Sequence, residues 1–266
     1  MSEKEISGNK LSGLTEPVRA AVLVFPGTNC ELDVVWALGI VGVEAEPVFH
    51  SDSPPEVFDL YVIPGGFSYG DYLRPGAIAR FSPVMSVVRS AARCGKPVVG
   101  ICNGFQILCE AGMLPGALQK NRGSSFLCQS VDLLVTNETS PLTCALQVGT
   151  VLRNIPINHF EGNFTIPPRK LALLESSGQI ALRYCGPSGE VQEQFNPNGS
   201  MASIAGITDQ RGNVAGIMPH PERAAEELIG SSDGLGILRS MALYAKRVKA
   251  SSNTRNTEVQ TSHLSK

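Results

Sequence analysis

The chain reads as an α/β protein built on an open, twisted, mostly parallel sheet flanked by helices, with a cysteine nucleophile elbow at the edge of that sheet. Three observations predict this. Short apolar runs alternate with segments whose apolar residues fall at helical spacing. Several runs are continuously apolar, as strands covered on both faces of a parallel sheet are. One of them passes through a Gly-x-Cys-x-Gly turn into a helix.

The first run is RAAVLVFPG (19–27), closed by Pro-Gly. CELDVVWALGIVG (30–42) follows with helical spacing and ends at glycine, and EAEPVFH (44–50) reads as a second strand. The alternation continues through the strand DLYVIPGG (59–66), the helix PVMSVVRSAARCG (83–95), the strand KPVVGI (96–101) and the helix NGFQILCEAGML (103–114). Between about 126 and 217 the candidate strands FLCQSVDLLVTN, IALRYC and NVAGIM are separated by Gly, Pro and Asn turns, which suits a mixed or antiparallel region. LGILRSMALYAKRVK (235–249) is amphipathic and predicts a closing helix. One domain over 19–249 is therefore expected, between polar stretches at 1–18 and 250–266 that read as disordered.

Composition narrows the function classes. The chain has 266 residues, of which 42% are hydrophobic and 17% charged, as in a compact globular protein. A formal charge of −2 gives no basic field for nucleic acid. Charged residues, Gly or Pro interrupt every apolar run before it could span a bilayer, and the first eighteen residues have no apolar core of the secretory kind. A cytoplasmic protein with small polar ligands and protein partners, without nucleic acid or membrane, is expected. Seven cysteines without a Cys-x-x-Cys pair suggest neither a disulfide framework nor a zinc site.

The sharpest chemical feature is KPVVGICNGFQILCEAG. Gly100 and Gly104 flank Cys102 at the spacing an elbow needs, where small residues let strand and helix approach closely and leave the central side chain at the crest. The Asn103 amide, at the helix start, is then a natural oxyanion donor, and losing one such donor typically costs ~3 kcal/mol. A helix dipole contributes only ~0.3–1 kcal/mol toward ionising a thiol whose ordinary pKa is ~8.5, so a base is still required.

Of the four histidines, His220 in GIMPHPER (216–223) is placed best. The prolines at 219 and 221 predict an extended backbone, in which His220 and Glu222 project to the same side. An isolated His-Pro-Glu is more often a surface turn, but this one follows the apparent strand NVAGIM and so reaches the strand edge where the elbow lies. Ile63-Pro64-Gly65-Gly66 ends another strand there. Its backbone N–H groups could complete an oxyanion hole, although Pro-Gly-Gly is commonly just a tight turn. The aromatics Phe67, Tyr69 and Tyr72 are read equally well as an interface anchor and as local packing.

GICNGFQ and HPE resemble the class I, triad-type glutamine amidotransferases. PGGFSYGDYLRPGAIARF (64–81), GICNGFQILCEAGMLPGAL (100–118), HFEGNF (159–164) and GIMPHPERAAEELIGSSDG (216–234) are similar more narrowly to the PurQ glutaminase subunits of phosphoribosylformylglycinamidine synthases, over about 19–247. Phe160 departs from the pattern, standing where the family has glycine after the histidine of HGEG. The resemblance implies a Cys102–His220–Glu222 triad that hydrolyses glutamine to glutamate and ammonia. It implies oxyanion contacts near Gly65, Gly66 and Asn103, and substrate contacts by Gln106 and His159. It further implies no metal or cofactor in this chain, a PurL-like synthetase that uses ATP and magnesium, and a small PurS-like partner. Another cysteine hydrolase of the same fold, or a non-catalytic partner-binding module on this scaffold, are the alternatives the residues leave open.

Overall fold

A computed structural model describes residues 16–52 and 57–264, with side chains described as far as 252. Apolar segments at the predicted places form β1 (Val18–Val24), α1 (Glu31–Ile40), β2 (Val43–Phe49), β3 (Leu60–Ile63), α2 (Val84–Arg93), β4 (Val98–Ile101) and α3 (Asn103–Glu110). There follow β5 (Ala117–Gln119), β6 (Leu127–Val135), β7 (Val151–His159), β8 (Asn163–Thr165), α4 (Pro168–Ser176), β9 (Ile180–Cys185), β10 (Ile204–Thr208), β11 (Val214–Ile217) and α5 (Leu235–Leu264).

Nine strands make one sheet in the order β2-β1-β3-β4-β11-β10-β9-β6-β7, while β5 and β8 pair apart from it. From β2 to β11 every neighbouring pair is parallel, and from β11 to β7 every pair is antiparallel. Only β10 and β6 therefore run against the rest. β3, β4 and β11 are buried at every position, as strands packed on both faces must be.

The strand order reverses between β1 and β3, which opens a crevice at the carboxyl ends of those strands. Strand direction brings the carboxyl ends of β4, β11 and β7 to the same edge. Residues following Val24, Ile63, Ile101, Ile217 and Asn158 thus share one rim, although they are scattered along the chain.

Two expectations change. α5 does not stop at 249 but continues to Leu264, because no Gly or Pro occurs in 250–266 to terminate it. α4 begins with Pro168 at its first turn, a favourable helix start within a region read from sequence only for strands. Residues 1–15 of the expected N-terminal extension lie outside the described residues.

Candidate active site at the strand edge

The elbow is built as the spacing requires. Cys102 sits at φ 51°, ψ −106°, a backbone conformation that L residues rarely adopt and that costs ~1–3 kcal/mol. Its amide is tied to the Ile217 carbonyl at 2.7 Å, which locks the turn against β11. A Cβ on Gly100 would lie 2.5 Å from the Gly104 carbonyl, and one on Gly104 would lie 1.9 Å from the Ile63 oxygen. Strand and helix touch through backbone alone. Cys102 is 5% exposed, and its Sγ lies 3.7 Å from the Asn158 carbonyl oxygen on β7.

β11 delivers His220 to the same edge, where its amide donates to the Pro156 carbonyl at 2.8 Å. The backbone that follows is not extended. Residues Pro221–Ala224 close into a 3₁₀ turn, with Pro221 supplying a preset φ at its start, and this turn folds Glu222 back onto the imidazole. His220 Nδ1 and Glu222 Oε1 are 2.6 Å apart, and both side chains are buried. Burial alone would push the imidazole down, but the charge of Glu222 and then of Cys102 outweighs it and holds His220 well above its ordinary value. With Nδ1 committed to Glu222, Nε2 is the nitrogen left to serve the sulfur; it is buried and lacks a well-formed hydrogen bond.

Cys30, which the sequence analysis does not single out, stands beside this pair. Its Sγ and ligand atoms of His220 and Glu222 all lie within 4.8 Å of one another. The Arg223 Nη2 donates to that sulfur at 3.1 Å, while Arg223 Nε reaches Asp33 Oδ2 at 3.3 Å. Cys, His and Glu are zinc-binding types, and this is the group of such residues that comes together among the described residues. A guanidinium against the sulfur opposes a dication, and Glu222 is already spent on Nδ1, so the trio is built as a hydrogen-bond network.

Beside Cys102 a cavity of about 150 Å³ is lined by Gly66, Asp71, Arg74, Gln106, His159 and Glu161 among others. Gly66, at φ +145°, has no room for a Cβ against Gly27–Asn29. Gly65 is not part of the lining; its Cα packs on the His220 ring and Cys30, where a Cβ would meet Cε1 at 2.7 Å. The Asn103 side chain accepts from the Ser68 amide at 3.1 Å and donates to Asp71 Oδ1 at 3.2 Å and Gln106 Oε1 at 2.9 Å. Gln106 Nε2 donates to the Glu161 carbonyl at 2.6 Å, so Gln106 braces the floor as well as lining it. His159 contacts Asn121 Oδ1 through Nδ1 at 3.1 Å and is pushed down to about 4, by burial first and then by His220. Phe160 needs no glycine, since it is not among the residues of positive φ.

Tyr69 turns inward, its hydroxyl 3.0 Å from both His50 Nδ1 and Ser82 Oγ, whereas Phe67, Tyr72 and Leu73 stay exposed. The aromatics of this loop thus divide between packing and surface. Sequence reasoning missed Cys30, Arg223, Asp71 and Glu161. Cys30 had one usable signal, its place just beyond the first strand at the point where the strand order reverses.

The chain matches the CobB/CobQ-like glutamine amidotransferase domain over residues 17–234. It is 50% identical to the phosphoribosylformylglycinamidine synthase subunit PurQ of Moorella thermoacetica, over 86% of this chain and 98% of that protein. It is 52% identical to the subunit of the same name from Pseudothermotoga lettingae, over 87% and 98% of the two chains. Among solved structures, a chain of PurLQS from Thermotoga maritima superposes with a TM-score of 0.76 at 43% identity, covering 86% of this chain and 99% of that one. With half its residues shared along nearly the whole length of such relatives, the chain belongs to the PurQ family of glutamine amidotransferase subunits.

Proposed function

We propose that this chain is the glutaminase subunit of a phosphoribosylformylglycinamidine synthase, with Cys102, His220 and Glu222 as its triad. The observation that carries the chemistry is the buried 2.6 Å pair of His220 Nδ1 and Glu222 Oε1, which leaves Nε2 to act on the strained elbow cysteine. His220 takes the thiol proton to form an imidazolium–thiolate pair, which the charge of Glu222 favours, and the Cys102 thiolate attacks the side-chain amide carbon of glutamine. The tetrahedral oxyanion is held by the Asn103 amide at the head of α3 and by backbone donors near Gly66. His220 then returns the proton to the departing nitrogen, ammonia leaves, and a γ-glutamyl thioester remains on Cys102. Water, deprotonated by His220, hydrolyses the thioester to glutamate and restores the thiol.

In this reading the ammonia passes to a PurL-like synthetase assisted by a PurS-like small subunit, and formylglycinamide ribonucleotide becomes the amidine in purine synthesis. The match to a PurLQS chain supports that partnership. ATP and magnesium belong to the synthetase, and the shared location is the cytoplasm. That no helix among the described residues is long and apolar enough to cross a membrane fits this placement.

Cys102→Ala in the reconstituted complex is expected to abolish glutamine-dependent amidine formation while sparing synthesis driven by added ammonia. Glutaminase activity surviving the substitution would refute the triad. Activity on other amides but not on glutamine would point instead to a different hydrolase on this fold.

A further inference from the structure

The elbow chemistry needs Asn103 held in place, because its amide at the head of α3 serves the oxyanion. Its side chain is buried and fixed by three bonds, accepting from the Ser68 amide at 3.1 Å and donating to Asp71 Oδ1 at 3.2 Å and Gln106 Oε1 at 2.9 Å. Gln106 is on α3 itself, whereas Ser68 and Asp71 belong to one short loop after β3.

That loop is bent in a way its residues resist. Tyr69, Gly70 and Asp71 take φ of 54°, 67° and 53° in succession, and Leu73 takes 71°. Glycine adopts such angles freely, but a side chain there crowds its own backbone, so the surroundings must hold Tyr69, Asp71 and Leu73 in place. The bend turns the Ser68 amide and the Asp71 carboxylate, three residues apart, onto the same carboxamide. Relaxing it would part them.

Backbone bonds secure the start of the bend. The Phe67 amide donates to the Gly27 carbonyl at 2.9 Å and the Tyr69 amide to the Pro26 carbonyl at 2.6 Å. Further on, Tyr72 and Leu73 are 72% and 78% exposed and add little packing. Tyr69 is the side chain that ties the bend to other segments. Its hydroxyl lies 3.0 Å from His50 Nδ1, just past β2, and 3.0 Å from Ser82 Oγ, just ahead of α2, while its ring meets the His50 ring edge-on at 5.7 Å. Packing alone would need the ring, but not a hydroxyl set between two polar groups from separate segments. Neither Tyr69 nor its two partners line the cavity beside Cys102, so the cluster acts from outside it.

We propose that Tyr69 is a positioning residue for the glutaminase reaction: clamped by His50 and Ser82, it holds the 68–71 bend so that Asn103 presents its amide to the oxyanion. This inference rests on the reading that Cys102 attacks glutamine, and names what keeps one oxyanion donor in register.

The test is made in the complex with the synthetase. Tyr69→Phe, which removes the hydroxyl and keeps the ring, should lower glutaminase kcat by about tenfold, less than deletion of an oxyanion donor would, with KM changed much less. Alkylation of Cys102 by iodoacetamide, a displacement that builds no oxyanion, should keep its wild-type rate. His50→Ala should match Tyr69→Phe, and His50→Asn, whose amide falls near the place of Nδ1, should recover part of the kcat. Ammonia-driven synthesis monitors intact assembly in each variant. An unchanged kcat in Tyr69→Phe, alkylation that falls in step with kcat, or equal losses in the alanine and asparagine variants of His50 would overturn the proposal while leaving glutaminase function standing. A wild-type complex without any glutaminase activity would instead overturn the functional reading and this role together.

Discussion

The Gly104 Cα faces the Ile63 carbonyl so closely that a methyl group there would sit 1.9 Å from the oxygen. Neither atom is the far end of a flexible side chain, so β3 and α3 would have to separate. Gly104→Ala is expected to destabilise the fold by about 3 kcal/mol, toward the upper range for overpacking, and to misplace the elbow. Urea unfolding measures this, and an unchanged midpoint would show that β3 and α3 can part without loss of packing.

Glu222→Gln keeps the shape of the side chain but removes the charge that lifts His220. A fall in glutaminase kcat of ~10²-fold or more is expected, the scale of a disabled acid–base group. Stability carries a second signature. Because the folded imidazole is raised above its unfolded value of 6.5, its contribution is fully present below pH 6.5 and fades as the pH climbs through the folded-state value. The stability gap between wild type and Glu222→Gln should therefore be wide near pH 6 and narrow in alkaline solution; a gap independent of pH would contradict the assignment.

For His159 the sign is reversed. Its folded value of about 4 lies below the unfolded 6.5, so the unfolded chain binds more protons between those limits. Stability should decline as the pH falls from 6.5 toward 4, and less steeply in His159→Gln. NMR of the ring should report a neutral imidazole at pH 5.5, and a charged one would disprove the burial argument.

Cys30→Ala removes the sulfur held between Arg223 and the His220–Glu222 pair. A loss in kcat of about tenfold is expected, the value of one hydrogen bond to a charged group, with Cys30→Ser recovering part of it. The pH–rate profile should shift as well, because the sulfur is among the groups raising His220. Equal loss in the alanine and serine variants, with no shift, would leave Cys30 a packing residue only.

Much of this was legible in local patterns. The continuous apolar run of β4 and the glycines two residues either side of Cys102 were enough to anticipate a strained turn, since close backbone approach admits no larger residue. The His220–Glu222 pairing was anticipated for the wrong local reason: a 3₁₀ turn after Pro221, not an extended segment, brings the two together. The continuation of α5 past 249 was hidden by polar composition, although the absence of any Gly or Pro was already visible.

The sequence by itself determined the elements from β1 to α3, the elbow and the family pattern, because spacing, glycine and proline act over a few residues and need no partner. Only the tertiary structure decided that Cys30 and Arg223 stand behind the His220–Glu222 pair, and that Asp71 and Glu161 line one cavity with Cys102. Such meetings depend on strand order and direction in the assembled sheet, which bring distant strand ends to a single rim and which no short window of residues encodes.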